Sequence, residues 1–271
     1  MSRYMGPVRA VIFDWAGTVV DFGSRAPARA FVELFRRNRL ALTESEARGP
    51  MGLHKRSHIA ELLRLTSVVE QWVARNGTEP DDADIERLYA EFIPLQSSIL
   101  AEHADVIPGC LRTVELLRTE GILIGSTTGY ARTMMDVLEP VAAASGFFPD
   151  TVVTADEVPQ GRPAPWMALV AAMRLGVYPA EACVKVGDTV ADIHEGLNAG
   201  MWSVGVTETG NEAGLAEVEL RALSQTERAS VRVQAGERLG QAGAHFVIDG
   251  VGDLMPVVHE IQGLLSRGER P

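Results

Sequence analysis

Lysine is almost missing from this chain: of its 25 cationic residues 23 are Arg, which leaves only Lys55 and Lys185. A guanidinium cannot form an imine, whereas an ammonium that loses its proton can, so a surviving lysine in the right setting has chemistry its neighbours lack. Cysteine is equally scarce. Cys110 and Cys183 show no CxxC spacing and each falls in an apolar segment, which reads as two buried, reduced thiols. The net charge is −11 with no run of Lys or Arg, which excludes nucleic acid and anionic membrane surfaces as partners. An anionic substrate must then be held by a local cationic pocket. No stretch approaches the roughly 20 apolar residues of a membrane span, and the chain reaches Asp14 without a secretory apolar region and cleavage site. The expectation is a cytoplasmic protein.

What is present is enough for a large domain, or for a core with a smaller companion: 271 residues, 46% hydrophobic and 23% charged. Runs rich in β-branched residues recur at Val8 to Phe13, Ile122 to Ser126, Thr151 to Thr154, Cys183 to Val186, Trp202 to Val206 and His245 to Ile248. Helical patterns alternate with them at Leu111 to Glu120, Tyr130 to Leu138, Trp166 to Leu175, Ala191 to Ala199 and Leu254 to Leu265. This rhythm predicts an α/β fold with a doubly wound, Rossmann-like parallel sheet covered on both faces. Between the first two strands the pattern is helical throughout: Ala26 to Arg39, Glu44 onward behind a Thr43/Glu46 capping box, Pro50 to Leu65, Val68 to Asn76 and Asp84 to Leu100. Such an insertion reads as a helical cap domain over residues 22–103, joined by two hinges to a core made of residues 1–21 and 104–271. A cap that closes over a sheet excludes water. Glu208 to Gly243 reads as a polar helical appendage of the core.

The candidate chemistry collects where strands end. Phe13-Asp14-Trp15-Ala16-Gly17-Thr18 puts a carboxylate at the carboxyl edge of the sheet, where ligands bind in such folds. Ser126-Thr127-Thr128-Gly129 opens into a helix and suits a phosphate cradle; which of the three hydroxyls would touch phosphate stays open. Gly187-Asp188-Thr189 follows another strand, with Asp192 four residues on. Hard oxygen donors from Asp14 and Asp188 suit Mg²⁺, which keeps water and substrate phosphate in its shell; Asp192 reads as support behind them. Arg162, in the Pro-flanked Gly161-Arg162-Pro163, is placed to pair both a nucleophilic carboxylate and a phosphoryl group.

In that order, an Asp-ended first strand, a Thr at the second, a cation and then Gly-Asp-x-x-x-Asp, the segments resemble the haloacid dehalogenase superfamily over essentially the whole core. The resemblance implies that Asp14 attacks phosphorus to form an aspartyl-phosphate, with Mg²⁺ held by Asp14, the Ala16 carbonyl and Asp188, supported by Thr18 and Asp192. Ordinary phosphatases of this kind carry a second Asp two residues after the nucleophile to protonate an ester leaving group. Ala16 stands there instead. An alkoxide would leave slowly without that acid, so the substitution points to lost activity or to a leaving group that is not an oxyanion.

Lys55 supplies the second possibility. On a helix running from Pro50, Met51, Lys55, Ile59 and Leu62 share a face, and burial there lowers a lysine pKa toward free amine. An imine between Lys55 and a β-carbonyl phosphonate makes a cation that accepts the electrons of the breaking P–C bond. The segments Asp14 to Thr18, Met51 to Lys55, Gly125 to Tyr130, Arg162 to Met167 and Gly187 to Gly200 closely resemble the phosphonoacetaldehyde hydrolase (phosphonatase) family. That resemblance implies water-dependent conversion of phosphonoacetaldehyde to acetaldehyde and phosphate, a Mg²⁺-dependent homodimer, and service in bacterial use of 2-aminoethylphosphonate. His58 is then expected beside Lys55 as a proton shuttle, with Met51 and Tyr130 lining the aldehyde side and Thr127, Thr128 and Gly129 holding phosphate. Asp21-Phe22-Gly23-Ser24 departs from the family pattern, in which a Cys is common. The alternatives are a phosphomonoesterase or phosphomutase in which another group replaces the lost acid, and a non-catalytic phosphate-binding homologue.

Overall fold

The structure is a computed structural model that describes residues 3–271. Six strands form one sheet: β1 (Ala10–Phe13), β2 (Leu123–Thr128), β3 (Thr151–Thr154), β4 (Cys183–Gly187), β5 (Trp202–Val206) and β6 (Phe246–Ile248). All pairs are parallel, in the order β3-β2-β1-β4-β5-β6. Strands central in such a sheet are buried on both faces, and β1 shows it: Val11 and Phe13 enter one core cluster, Ala10 and Ile12 the other. On β4, Val184 and Val186 join the first cluster and Cys183 the second. Lys185, fully buried between them in sequence, places a charge in the strand interior. The chain builds outward from β1 through β2 to β3, then returns to β4 on the other side. That reversal opens a crevice between the carboxyl ends of β1 and β4, where Phe13 pairs in register with Val186.

The interval between β1 and β2 folds as an inserted α-helical cap of five helices: α1 (Arg25–Arg37), α2 (Glu44–Arg48), α3 (Lys55–Leu62), α4 (Thr66–Asn76) and α5 (Asp82–Leu100). Its core forms where α1 packs on α5, with the Phe31 ring stacked 4.4 Å from Phe92 and 3.8 Å from His58. The Thr43/Glu46 capping box is present at α2. The remaining helices, α6 (Cys110–Thr119), α7 (Arg132–Ala144), α8 (Trp166–Arg174), α9 (Val190–Asn198), α10 (Glu217–Ala222), α11 (Gln225–Gln241) and α12 (Leu254–Ser266), flank the sheet. The chain enters and leaves the insertion side by side: Val20 bridges Val106, and the Ile107 N–H donates to the Val19 carbonyl at 2.9 Å. Among the described residues no helix is long and apolar enough to cross a membrane.

Three sequence expectations shift. The helix carrying Lys55 begins at Lys55 itself and not at Pro50, because Gly52 turns the chain at φ +87° and His54 caps the new start by accepting the Arg56 N–H. Met51 therefore reaches the site from the preceding turn. β2 runs on to Thr128, since Thr127 and Thr128 pair with Val153 and Thr154, and the helix after it starts at Arg132 instead of Tyr130. The segment from Glu208 to Gly243 is helical over Glu217–Ala222 and Gln225–Gln241, whereas residues 208–216 form turns that reach the crevice, where the Asn211 N–H donates to Asp188.

Candidate active site

Asp14 follows β1 directly and is 6% exposed. Arg162 meets it, Nη1 to Oδ1 at 2.7 Å, and the rest of the guanidinium is fully committed. Nη1 also lies 3.0 Å from Asp192, Nε donates to Glu195 at 2.8 Å, and Nη2 donates to the Thr127 carbonyl and hydroxyl at 2.8 and 2.9 Å. Thr127 in turn donates to Glu195 at 3.0 Å. Lys185 reaches up from β4 to Asp192 at 2.7 Å and Glu195 at 3.5 Å. Every partner here is buried, so the fork of Arg162 is held in one orientation with its Nη1 edge toward Asp14.

Asp188 sits at the end of β4 and accepts from the Thr18 hydroxyl at 3.3 Å and the Asn211 N–H at 2.7 Å. Glycine is required around it. A Cβ on Gly17, which has φ +84°, would lie 2.2 Å from Asp188 Oδ2, and one on Gly210 would lie 2.4 Å from its Cβ. Asp14, Asp188 and Asp192 bring carboxylate oxygens within 4.8 Å of one another. Asp192 is already spent on Lys185, Arg162 and the Thr189 hydroxyl at 2.6 Å, and its pKa is held down by Arg162 and Lys185 against its burial. Asp14 and Asp188 are pushed the other way, first by burial: Asp14 rises against the opposing charge of Arg162, with Asp192 adding to the rise, and Asp188 is driven well up, with the charges of Asp14 and Asp192 adding to its burial. Four buried carboxylates, Asp14, Asp188, Asp192 and Glu195, face the buried cations Arg162 and Lys185, with Lys55 across the cavity as a third buried basic side chain. Asp14 and Asp188, hard oxygen donors clustered in one buried site and both resisting ionisation there, fit a divalent cation.

Across the cavity from Asp14 lies Lys55, 4% exposed at the first turn of α3. Burial brings its pKa down to about 8 from 10.5; the nearby Arg162 adds to the drop, while Asp14, Asp188 and Asp21 oppose it. Its Nζ lies 5.0 Å from the Tyr130 ring centroid and 5.7 Å from that of Phe31, a setting that holds an amine without an anion. Met51, Gly52, Ser24 and Pro27 complete the cap side of the cavity; Ala16, Thr128, Gly129, Tyr130 and Thr189 complete the core side. The two sides touch closely. A Cβ on Gly129 would lie 2.8 Å from the Leu53 carbonyl, and one on Gly52 would lie 2.3 Å from the Thr189 hydroxyl.

Of the three hydroxyls at the end of β2, Ser126 donates to the Phe13 carbonyl at 3.0 Å and Thr127 is locked to Arg162 and Glu195. Only Thr128, with Gly129, opens onto the cavity, which corrects the expectation for Thr127. His58 is also displaced from its expected place. It is wholly buried, stacked on Phe31, with Nε2 2.8 Å from the Ala47 carbonyl, and burial with the neighbouring Lys55 drives its pKa well below the usual imidazole value. It packs behind Lys55 and does not line the cavity. Sequence reasoning missed Lys185, Glu195, Thr189 and Asn211. Glu195 carried a readable signal, three residues after Asp192 on one face of α9, and Lys185 carried another as a lone charge inside an apolar strand.

A parallel sheet with a carboxylate at each side of its switch point, a fixed cation paired to the first of them and a helical cap above defines a haloacid dehalogenase-like hydrolase, and the family of that description matches residues 8–200. The chain is 47% identical over 99% of its length to a phosphonoacetaldehyde hydrolase of Nitratidesulfovibrio vulgaris, covering 96% of that protein. It is 49% identical over 98% of its length to one from Paraburkholderia phytofirmans, covering 100% of it. The crystal structure of a phosphonoacetaldehyde hydrolase-like protein from Oleispira antarctica superposes with a TM-score of 0.99 at 44% identity, over 100% of this chain and 98% of that one. The chain belongs to the phosphonoacetaldehyde hydrolase family.

Proposed function

We propose that this chain hydrolyses the P–C bond of phosphonoacetaldehyde to acetaldehyde and phosphate, in the degradation of 2-aminoethylphosphonate. One observation carries the reading: a buried lysine amine, with no carboxylate partner among the described residues, shares a cavity with Asp14, while Ala16 occupies the place of the missing acid. The neutral Lys55 amine adds to the aldehyde carbon, the carbinolamine hydroxyl takes a proton from solvent and leaves as water, and a protonated imine results. Asp14 then attacks phosphorus; the P–C bond breaks and its electron pair moves into the imine, so the leaving group departs as an enamine. No acid beside Asp14 is needed at that step. Protonation of the enamine carbon and hydrolysis of the imine release acetaldehyde and restore Lys55, while water attacks the aspartyl-phosphate to release phosphate. The Thr128–Gly129 segment holds the phosphoryl oxygens, Arg162 orients Asp14 and offsets the phosphoryl charge from where it is fixed, and Met51 and Tyr130 bound the aldehyde end.

Asp14, the Ala16 carbonyl and Asp188 would hold Mg²⁺, with Thr18 and Asp192 orienting them; the ion supplies charge neutralisation at the phosphoryl group. Residues 22–103 act as a cap that swings on the two crossings near Asp21 and Ala104. The family resemblance also supports a homodimer and a cytoplasmic setting, the former checked by sedimentation.

The decisive test is borohydride trapping with phosphonoacetaldehyde and Mg²⁺, with peptide mapping and a phosphate assay, set beside Lys55→Arg. A reduced adduct at Lys55, and loss of phosphate release in the variant, is the expected result. Release that survives the substitution with no adduct would sink the imine mechanism and leave an ordinary phosphatase.

A further inference from the structure

The two crossings between sheet and cap are bonded side by side on the sheet face through Val20 and Val106. A second set of contacts closes them on the cap face, and it is made of side chains. Asp21 lies on the first crossing, 5% exposed and in the left-handed region at φ 56°. Its two carboxylate oxygens accept the Arg25 and Ala26 N–H groups at 3.0 and 2.9 Å, so Asp21 satisfies the open N-terminus of α1, a task the formal cap residue Ser24 leaves undone. The Asp21 carbonyl accepts from Gly17 in the loop after Asp14, at 3.1 Å, and the Asp21 N–H donates to the Asp105 carbonyl of the second crossing at 3.3 Å. His103, also on that second crossing, brings Nδ1 to 3.3 Å from Asp21 Oδ1. Its other nitrogen, Nε2, lies 3.1 Å from Arg29 Nη1 on α1.

Those two neighbours set the imidazole tautomer. A guanidinium can only donate, so Nε2 accepts, and the ring proton sits on Nδ1, where it donates to Asp21. Histidine here is a spacer with one donor and one acceptor, tying crossing to crossing and both to α1. Each contact is ordinary; their placement is not, because they lie where any swing of the cap must pivot, and the same Asp21 is bonded to the loop that carries Asp14.

We infer that Asp21, His103 and Arg29 are positioning residues that clasp the two hinges and hold the cap in the closed register that sets Lys55 over Asp14. The inference rests on the cap reading above and adds to it the device that fixes the closed state. Without the clasp the insertion stays attached through the backbone bridge, but its closed state is less populated, so that Lys55 spends more time open to solvent and less in line with Asp14.

The scarcity of lysine makes this measurable. Lys185 is 1% exposed and ion-paired beneath the site, so acetylation by N-hydroxysuccinimidyl acetate, followed by peptide mass mapping, reads the opening of the cap at Lys55 with Lys185 as the closed control. His103→Leu removes donor and acceptor together; His103→Gln keeps one of each. The expected result is Lys55 acetylation about fivefold faster in His103→Leu and near wild type in His103→Gln, with kcat/KM down about tenfold and restored in parallel. Arg29→Met, at an exposed side chain, is expected to fall between them and keeps the test open if His103→Leu does not fold. Acetylation of Lys55 in His103→Leu and Arg29→Met at the wild-type rate would overturn the clasp, and so would a Gln variant that fails to restore it. The labelling needs no turnover. A wild-type protein inert toward phosphonoacetaldehyde would therefore count against the proposed reaction and leave the clasp standing.

Discussion

Lys55 is a residue that the fold holds at a cost. Its pKa is lowered to about 8, so the folded state carries a penalty for the ammonium. The sign follows from the depressed value: the penalty is fully present below about pH 8 and fades as pH rises toward 10.5. Lys55→Met is expected to stabilise the protein at pH 7 by up to about 3 kcal/mol in urea unfolding, while phosphate release is lost. Trapping of the imine should climb about tenfold per pH unit below 8 and level off above it; a midpoint near 10.5 would show an unburied lysine. Lys185 behaves oppositely, since it is spent on Asp192 and Glu195. Lys185→Met leaves those carboxylates short of a partner and is expected to cost about 3–5 kcal/mol in the same assay. Lys55 stands out in the sequence by its rarity and its apolar neighbours. Lys185 shares the rarity but gains meaning only when β4 and α9 pack, because its partners lie seven and ten residues on and face it across a strand-to-helix turn.

At the scale of elements, the turn before α3 decides where that lysine points. A helix read through from Pro50 would put Lys55 in its second turn; the left-handed Gly52 ends the preceding segment and starts the helix afresh at Lys55. Glycine at a turn is legible in a sequence, but the reason for this one is tertiary, since its missing Cβ is what lets the cap rest on Thr189 at the start of α9. Gly52→Ala is expected to reduce kcat/KM by about 100-fold or more with an unchanged far-ultraviolet circular dichroism spectrum; activity within twofold of wild type would show that the cap does not rest there. The six strands are legible because each is an apolar run bounded by Gly, Pro or polar residues. Their ends are not, since β2 continues through two threonines whose place depends on pairing with β3, and that extension turns Thr127 inward and Thr128 toward the cavity.

For the whole molecule the clustered carboxylates of Asp14, Asp188 and Asp192 predict a gain in stability when a divalent cation binds. Mg²⁺ at 100 times its dissociation constant is expected to add about 2.7 kcal/mol to unfolding, read as a rise in Tm that chelation by EDTA reverses, and Asp188→Asn is expected to shrink that rise. The bridge between Val20 and Val106 has a different sort of consequence. Because the insertion departs and returns at one point, β1, α6 and β2 would still form a complete crossover unit if it were replaced by a short turn. The sheet's wiring is thus indifferent to what is spliced in at that point, and an ancestor of this chain could have exchanged one lid for another, and with it one substrate for another, without redrawing a single strand.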